Sequence, residues 1–151
     1  PDIQLVSDKR LAQDHLLRRL VLAMLTGNGD LHLQNLTLLM REGELAFSPV
    51  YDPTPMRAYN IHNMLSNMPF GQYGEYLEEQ ERPVGFRQAM LSFIRETGMR
   101  KDRALALIED ALTVTTDYPE RVARLETLPA PYREQLARIH DDVRKEFSDL
   151  F

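Results

Sequence analysis

The stretch Gly27-Asn28-Gly29-Asp30-Leu31-His32-Leu33-Gln34-Asn35 organises the reading of everything around it. Glycine, asparagine and aspartate dominate it, and neither helical nor alternating apolar periodicity runs through it, so it reads as loop. Gly27 tolerates positive φ and is placed to stop a preceding helix. Upstream, Leu11, His15, Leu16, Leu20, Ala23 and Met24 recur at helical spacing, with Ser7 or Asp8 as the cap. That pattern predicts a helix running to about Thr26. Downstream, Leu36 to Arg41 is apolar with one threonine, Glu44 to Phe47 alternates, and Glu42-Gly43 stands between them as a two-residue turn. A short β-hairpin is expected directly after the loop.

Beyond the hairpin regular periodicity disappears. Residues 48–80 contain Pro49, Pro53, Pro55, Pro69 and Gly71, with Tyr51, Tyr59, Phe70 and Tyr73 among them. An irregular segment of that length inside a domain is commonly functional, and 53–80 is the candidate surface for choosing a substrate. The remainder reads as helices. Val84 to Thr97 carries Phe86, Met90, Phe93 and Ile94 and stops at Gly98, while Lys101 to Val114 repeats Leu105, Ile108, Ala111 and Leu112. A shorter helix spans Pro119 to Leu125, and Pro129 and Pro131 are expected to separate it from a last one, Tyr132 to Phe147. The apolar stripes of these helices are core. The fold expected is one domain over residues 1–151, mainly α with a short β-hairpin.

Composition narrows the function classes. The 151 residues are 43% hydrophobic and 27% charged, an ordinary globular balance. A net charge of -5 and no long basic run argue against direct nucleic-acid binding. The densest basic pair, Arg18-Arg19, falls inside an apolar helical pattern and reads as a solvated edge. No cysteine is present, which removes disulfides and thiolate metal sites. The longest apolar run, Leu20 to Leu25, is too short to cross a bilayer, no signal-peptide pattern is seen, and a cytoplasmic protein is expected. The chain opens on Pro1-Asp2-Ile3, which suggests a piece of a longer parent.

The polar residues of the loop then acquire a chemical meaning. Phosphoryl transfer from ATP needs a carboxylate to orient the attacking hydroxyl, and hard oxygen ligands to hold Mg²⁺ against the phosphates. Protein kinases meet this with an Asp, an Asn five positions later and a second Asp beyond a hairpin. Asp30, Asn35 and Asp52 stand in that arrangement, with Asp52 in Val50-Tyr51-Asp52-Pro53 just after the hairpin. Each has a plainer reading: Asp30 in an Asx-turn, Asn35 bonding backbone at a strand entry, Asp52 initiating a turn before proline. Asn28 reads either as loop orienter or as part of a helix end. His32 has no second histidine at ligand spacing, His62 being thirty residues on, and reads first as a loop anchor. His15 and His140 fall on helices as structural or exposed residues. Ser48 and Ser66 lack the nucleophile-elbow context of a hydrolase.

The run Gly-Asn-x-Asp-x-His-x-x-Asn, followed by a hairpin and Pro-x-Tyr-Asp, resembles the catalytic half of the HipA-type serine/threonine kinases. Here it is Gly27 to Asn35 and Ser48-Pro49-Val50-Tyr51-Asp52, with Pro55-Met56 similar to a further segment of some members. The motifs span about Thr26 to Met56. The resemblance implies the C-terminal lobe of a protein-kinase-like fold, with Asp30 the catalytic aspartate and Asn35 and Asp52 the Mg²⁺ ligands. His32, Leu33, Gln34 and Asn35, with Tyr51 and Asp52, would line the nucleotide. It implies ATP and Mg²⁺ as cofactors, a bacterial toxin-like role, a DNA-binding antitoxin as partner, and an aminoacyl-tRNA synthetase, glutamyl-tRNA synthetase in particular, as protein substrate.

Two departures qualify this. Gln34 stands where many relatives carry lysine, so one phosphate-balancing cation is missing. The Gly-rich loop and lysine that cover the phosphates of a kinase have no counterpart before Asp30; Lys9 is a helix-start residue and Gly71-Gln72-Tyr73-Gly74 comes too late. The chain is therefore expected to be the catalytic-loop side of the enzyme and to bind ATP poorly alone. Two other functions compete. Gly29-Asp30-Leu31-His32 also resembles aminoglycoside and choline phosphotransferases, although those place histidine where Asn28 stands, and Tyr51-Asp52-Pro53 favours the HipA-like pattern. A non-catalytic module, either a pseudokinase or an antitoxin-contacting domain, is the other.

Overall fold

The computed structural model describes residues 6–31, 35–59 and 82–150. In these segments the chain is mainly helical with one two-stranded antiparallel hairpin. The elements are α1 (Lys9–Leu25), β1 (Leu38–Arg41), β2 (Glu44–Phe47), a single 3-10 turn (Met56–Ala58), α2 (Phe86–Glu96), α3 (Lys101–Val114), α4 (Tyr118–Ala123) and α5 (Ala130–Ser148).

Helix α1 begins where the sequence places a cap. Asp8 has extended backbone, and its carboxylate accepts the Leu11 N–H at 2.9 Å, which satisfies one of the orphan donors of the first turn. Replacing Asp8 by alanine is expected to cost about 1 kcal/mol, seen as a thermal midpoint lowered by about 2–4 °C. An unchanged midpoint would show that the cap carries no stability.

The apolar surface of α1 extends beyond the positions expected. Ala12, Leu17, Val21, Ala23 and Leu25 are buried, whereas Leu11 is 47% exposed. Leu16, Leu20 and Met24 are only partly buried. The reason is that α1 is central and has several neighbours. It packs against α3, α5 and β2, so apolar residues are needed around much of its circumference and no single face stands out. Leu17, Val21 and Leu25 enter the main core with Met90 and Ile94 of α2, Ala104 and Ile108 of α3, and Phe147 of α5. Phe86 meets Phe147 edge-on, ring centroids 5.0 Å apart, a favoured aromatic geometry. An ion pair between Asp14 and Arg103, both largely buried, ties α1 to α3, and Gln13 donates to the Thr97 carbonyl at 2.8 Å.

The hairpin forms in the expected register, Leu38 opposite Phe47 and Arg41 opposite Glu44. Glu42 and Gly43 both have positive φ, 51° and 84°, as a two-residue turn of the right twist requires. Phe47 anchors the hairpin on α1 through a small cluster with Val6 and Ala12. A third cluster, Ala58, Val122 and Leu136, seats the 3-10 turn on α4 and α5. Helices α2 and α3 match their expected spans closely. In α5, Pro131 lies inside the first turn rather than before the helix, because proline's fixed φ and missing N–H suit that position. Among the described residues no helix is long and apolar enough to cross a membrane.

Candidate active site

The loop after α1 starts from a helix end fixed by backbone bonding. Thr26 is the C-cap and Gly27 follows at φ 69°. The Asn28 N–H donates to the Ala23 carbonyl at 2.8 Å, and the Gly27 N–H to the Met24 carbonyl at 3.4 Å. These are the two bonds of a Schellman motif. Two more contacts hold the same corner: the Arg57 N–H donates to the Gly27 carbonyl at 3.2 Å, and the Tyr118 hydroxyl donates to the Thr26 carbonyl at 2.8 Å. Burial pushes the Tyr118 phenol upward from its ordinary value, so it stays protonated as that bond requires. The Tyr118 ring lies beside His140, centroids 5.4 Å apart. His140 is buried, as a structural residue should be.

From that corner the loop is tied to itself. The Asp30 N–H donates to Asn28 Oδ1 at 2.9 Å, so Asn28 both closes the helix end and orients the loop. Asn35 Nδ2 then donates to the Asp30 carbonyl at 2.7 Å and to Asp30 Oδ2 at 3.2 Å. The five-residue spacing thus joins Asp30 and Asn35 directly. Asn35 uses its NH₂ for Asp30, and its amide oxygen, an acceptor, takes no part in these two bonds. His32, Leu33 and Gln34 lie outside the described residues, and so do His62, Ser66 and Gly71 to Gly74.

The hairpin returns the chain to the same place. Asp30, Asn35, Tyr51 and Asp52 all line one cavity of about 450 Å³, which Asn28 and Leu31 complete on the loop side. Asp52 sits at φ 48°, a left-handed backbone that costs an ordinary residue energy but which aspartate tolerates better than most. Thr54 Oγ1 donates to Asp52 Oδ1 at 3.2 Å and, more weakly, to the Asp52 carbonyl at 3.4 Å. The hydroxyls of Thr37 and Tyr51 lie 2.7 Å apart. The hard oxygen donors on this wall are therefore the Asp30 and Asp52 carboxylates and the Asn35 amide oxygen. Among the described residues no three His, Cys, Asp or Glu side chains gather as a metal cage.

The other wall of the cavity comes from α1 and its C-cap, through His15, Arg18, Arg19, Leu22, Ala23 and Thr26. The pair Arg18-Arg19 is not one solvated edge. Arg18 is exposed, with Asp110 at 3.6 Å, a contact that contributes little in water. Arg19 is 8% exposed, donates to the Ser48 carbonyl and stacks on Phe47 at 5.4 Å from the ring centroid. Burial lowers its pKa from the ordinary value, and Tyr51 nearby opposes that shift. A guanidinium starts so high that it stays charged. Arg19 is thus the pin between α1 and the strand leading to Asp52.

Sequence reasoning missed Thr37, Thr54 and the α1 wall. Thr54 was open to detection, since a hydroxyl two residues after an aspartate is a common turn signal. Thr37 and Arg19 bond to partners 14 and 29 residues away, and no local pattern announces such pairs.

A search of curated proteins gives no match to the chain. The model of the HipA-like C-terminal domain family, by contrast, matches residues 3–118. That match covers α1, the loop, the hairpin, α2 and α3, and agrees with the resemblance carried by Gly27 to Asp52. The chain belongs to the HipA-like C-terminal domain family.

Proposed function

We propose that this chain is the catalytic-loop side of an ATP-dependent serine/threonine protein kinase of the HipA type, its helices and hairpin corresponding to the C-terminal lobe of a kinase-like fold. The observation that carries the reading is the hydrogen-bonded pair Asp30–Asn35 on one cavity with Asp52. In this reading Asp30 orients the acceptor hydroxyl and takes up its proton. Asn35 holds Asp30 in place through its NH₂ and presents its amide oxygen, with Asp52, to a cation. Two carboxylates and an amide oxygen are a hard donor set, and they leave room for the water and phosphate ligands that Mg²⁺ keeps. That fits MgATP, with Mg²⁺ bound chiefly by Asn35 and Asp52. When bound, Mg²⁺ neutralises charge on the transferring phosphoryl group. Tyr51, Asn35 and Asp52 would line the nucleotide, along with His32, Leu33 and Gln34.

Family membership supports a toxin-like kinase whose parent protein also carries the phosphate-covering loop and lysine. An aminoacyl-tRNA synthetase, glutamyl-tRNA synthetase among them, is the proposed acceptor, and a DNA-binding antitoxin the proposed partner. The test is to incubate the full-length protein with γ-labelled ATP and candidate acceptors. Label is expected on serine or threonine of a protein, lost on chelation of divalent cation. Label confined to a small-molecule acceptor, or none at all, would overturn the reading.

A further inference from the structure

The three polar residues of the site sit on two separate stretches of chain, and something must fix the distance between them. Asp30 and Asn35 are tied together on the loop, but Asp52 arrives from beyond the hairpin. The ladder between the strands continues one step past Leu38 and Phe47, where the Ser48 N–H donates to the Thr37 carbonyl at 2.8 Å. There the ladder ends. Between Ser48 and Asp52 the backbone is without strand pairing, and Asp52 must still hold a left-handed φ of 48°. Such a conformation persists only when its surroundings over-determine it.

Resting on the kinase reading above, we infer that the Thr37–Tyr51 hydroxyl pair is a clasp that positions Asp52 against Asn35 for cation binding. The two oxygens are 2.7 Å apart. Thr37 is two residues after Asn35, and Tyr51 immediately precedes Asp52. The clasp therefore bridges the unpaired gap next to both proposed ligands. Thr54 secures Asp52 from its other side through the 3.2 Å bond to its carboxylate. Three hydrogen-bonded pairs, Asp30–Asn35, Thr37–Tyr51 and Asp52–Thr54, thus follow one another along the two stretches of chain that carry the proposed ligands. Neither Thr37 nor Tyr51 has to touch a cation or a reacting atom for this; each acts as a positioning residue. Both hydroxyls are needed, and a serine at position 37 retains the function because it keeps the oxygen.

The test titrates Mn²⁺, as a stand-in for Mg²⁺, into the full-length protein and follows the free ion by electron paramagnetic resonance. Thr37→Val and Tyr51→Phe are each expected to weaken Mn²⁺ binding about tenfold, the low end of the scale for removing a group that orients a metal ligand. The double variant should be no weaker than either single one, and Thr37→Ser should bind as the parent does. Equal affinity in Thr37→Val and Thr37→Ser, additive losses in the double variant, or no Mn²⁺ binding by the parent would overturn the clasp. Phosphate transfer measured on the same proteins separates the two ideas. A parent protein that binds Mn²⁺ in this clasp-dependent way yet transfers no phosphate upholds the clasp and removes the kinase reading.

Discussion

Asp30→Asn is expected to lower phosphate transfer by the full-length protein about 10²–10⁴-fold, the range set by loss of a general base, with little change in folding stability. The substitution is nearly isosteric. A carboxamide at position 30 retains an oxygen able to accept from Asn35 Nδ2, the bond that holds Asp30 at 3.2 Å. Its backbone N–H still donates to Asn28 Oδ1 at 2.9 Å, so the loop keeps its shape. What disappears is the negative charge and the capacity to take up a proton. The loss should therefore fall on kcat, with KM for ATP little changed, because Asn35 and Asp52 are left in place. Undiminished transfer by this variant would sink the assignment of Asp30. A large rise in KM with unchanged kcat would instead make Asp30 a binding group.

The same loop shows how far local sequence carries the reading. Asp30 and Asn35 were legible because their partnership spans five residues and the structure forms it directly. Asp52 was legible because a hairpin with a two-residue turn has a fixed length, so the chain's return could be counted. Helices α2 and α3 were legible for a related reason: each buries a face on one side, marked by Phe86, Met90 and Ile94 in α2 and by Ile108, Ala111 and Leu112 in α3. Helix α1 resisted, since neighbours surround it and the pattern of apolar residues no longer names one face. Arg18 and Arg19 are alike in sequence and opposite in environment. The difference lies in Phe47 and the Ser48 carbonyl, which reach Arg19 only after the hairpin has folded onto α1. Pro131 misled because the same ring that ends a helix also starts one. Spacing anticipated proximity where both partners lay close in the chain. Where a contact depends on tertiary approach, as for Arg19, Thr37 and Tyr118, the information is spread over distant residues.

Gly27→Ala is expected to be the most damaging small substitution in this region, at about 3 kcal/mol. Two costs combine. A residue with a Cβ held at φ 69° loses about 1–2 kcal/mol to left-handed strain. A Cβ at position 27 would also lie 2.8 Å from Leu136 Cδ2, closer than packed carbons allow, and overpacking of this kind typically costs about 1–3 kcal/mol. Leu136 is buried in the cluster under the 3-10 turn, so it has little room to yield. The thermal midpoint should fall by about 6–12 °C, at about 2–4 °C per kcal/mol for a chain of this size. Gly43 provides the control. It has φ 84° with nothing within 4 Å of where a Cβ would stand, so Gly43→Ala carries the strain without the clash and should cost about 1–2 kcal/mol. The difference between the two variants isolates the contact with Leu136; equal destabilisation would show that the contact carries no energy. The site should register the change as well. Gly27 precedes Asn28, its carbonyl accepts the Arg57 N–H at 3.2 Å, and Asn28 Oδ1 in turn holds the Asp30 N–H. A Gly27→Ala protein assayed well below its midpoint should therefore transfer phosphate more slowly than a Gly43→Ala protein of matched folded fraction, because only the first substitution moves the residue on which Asp30 rests.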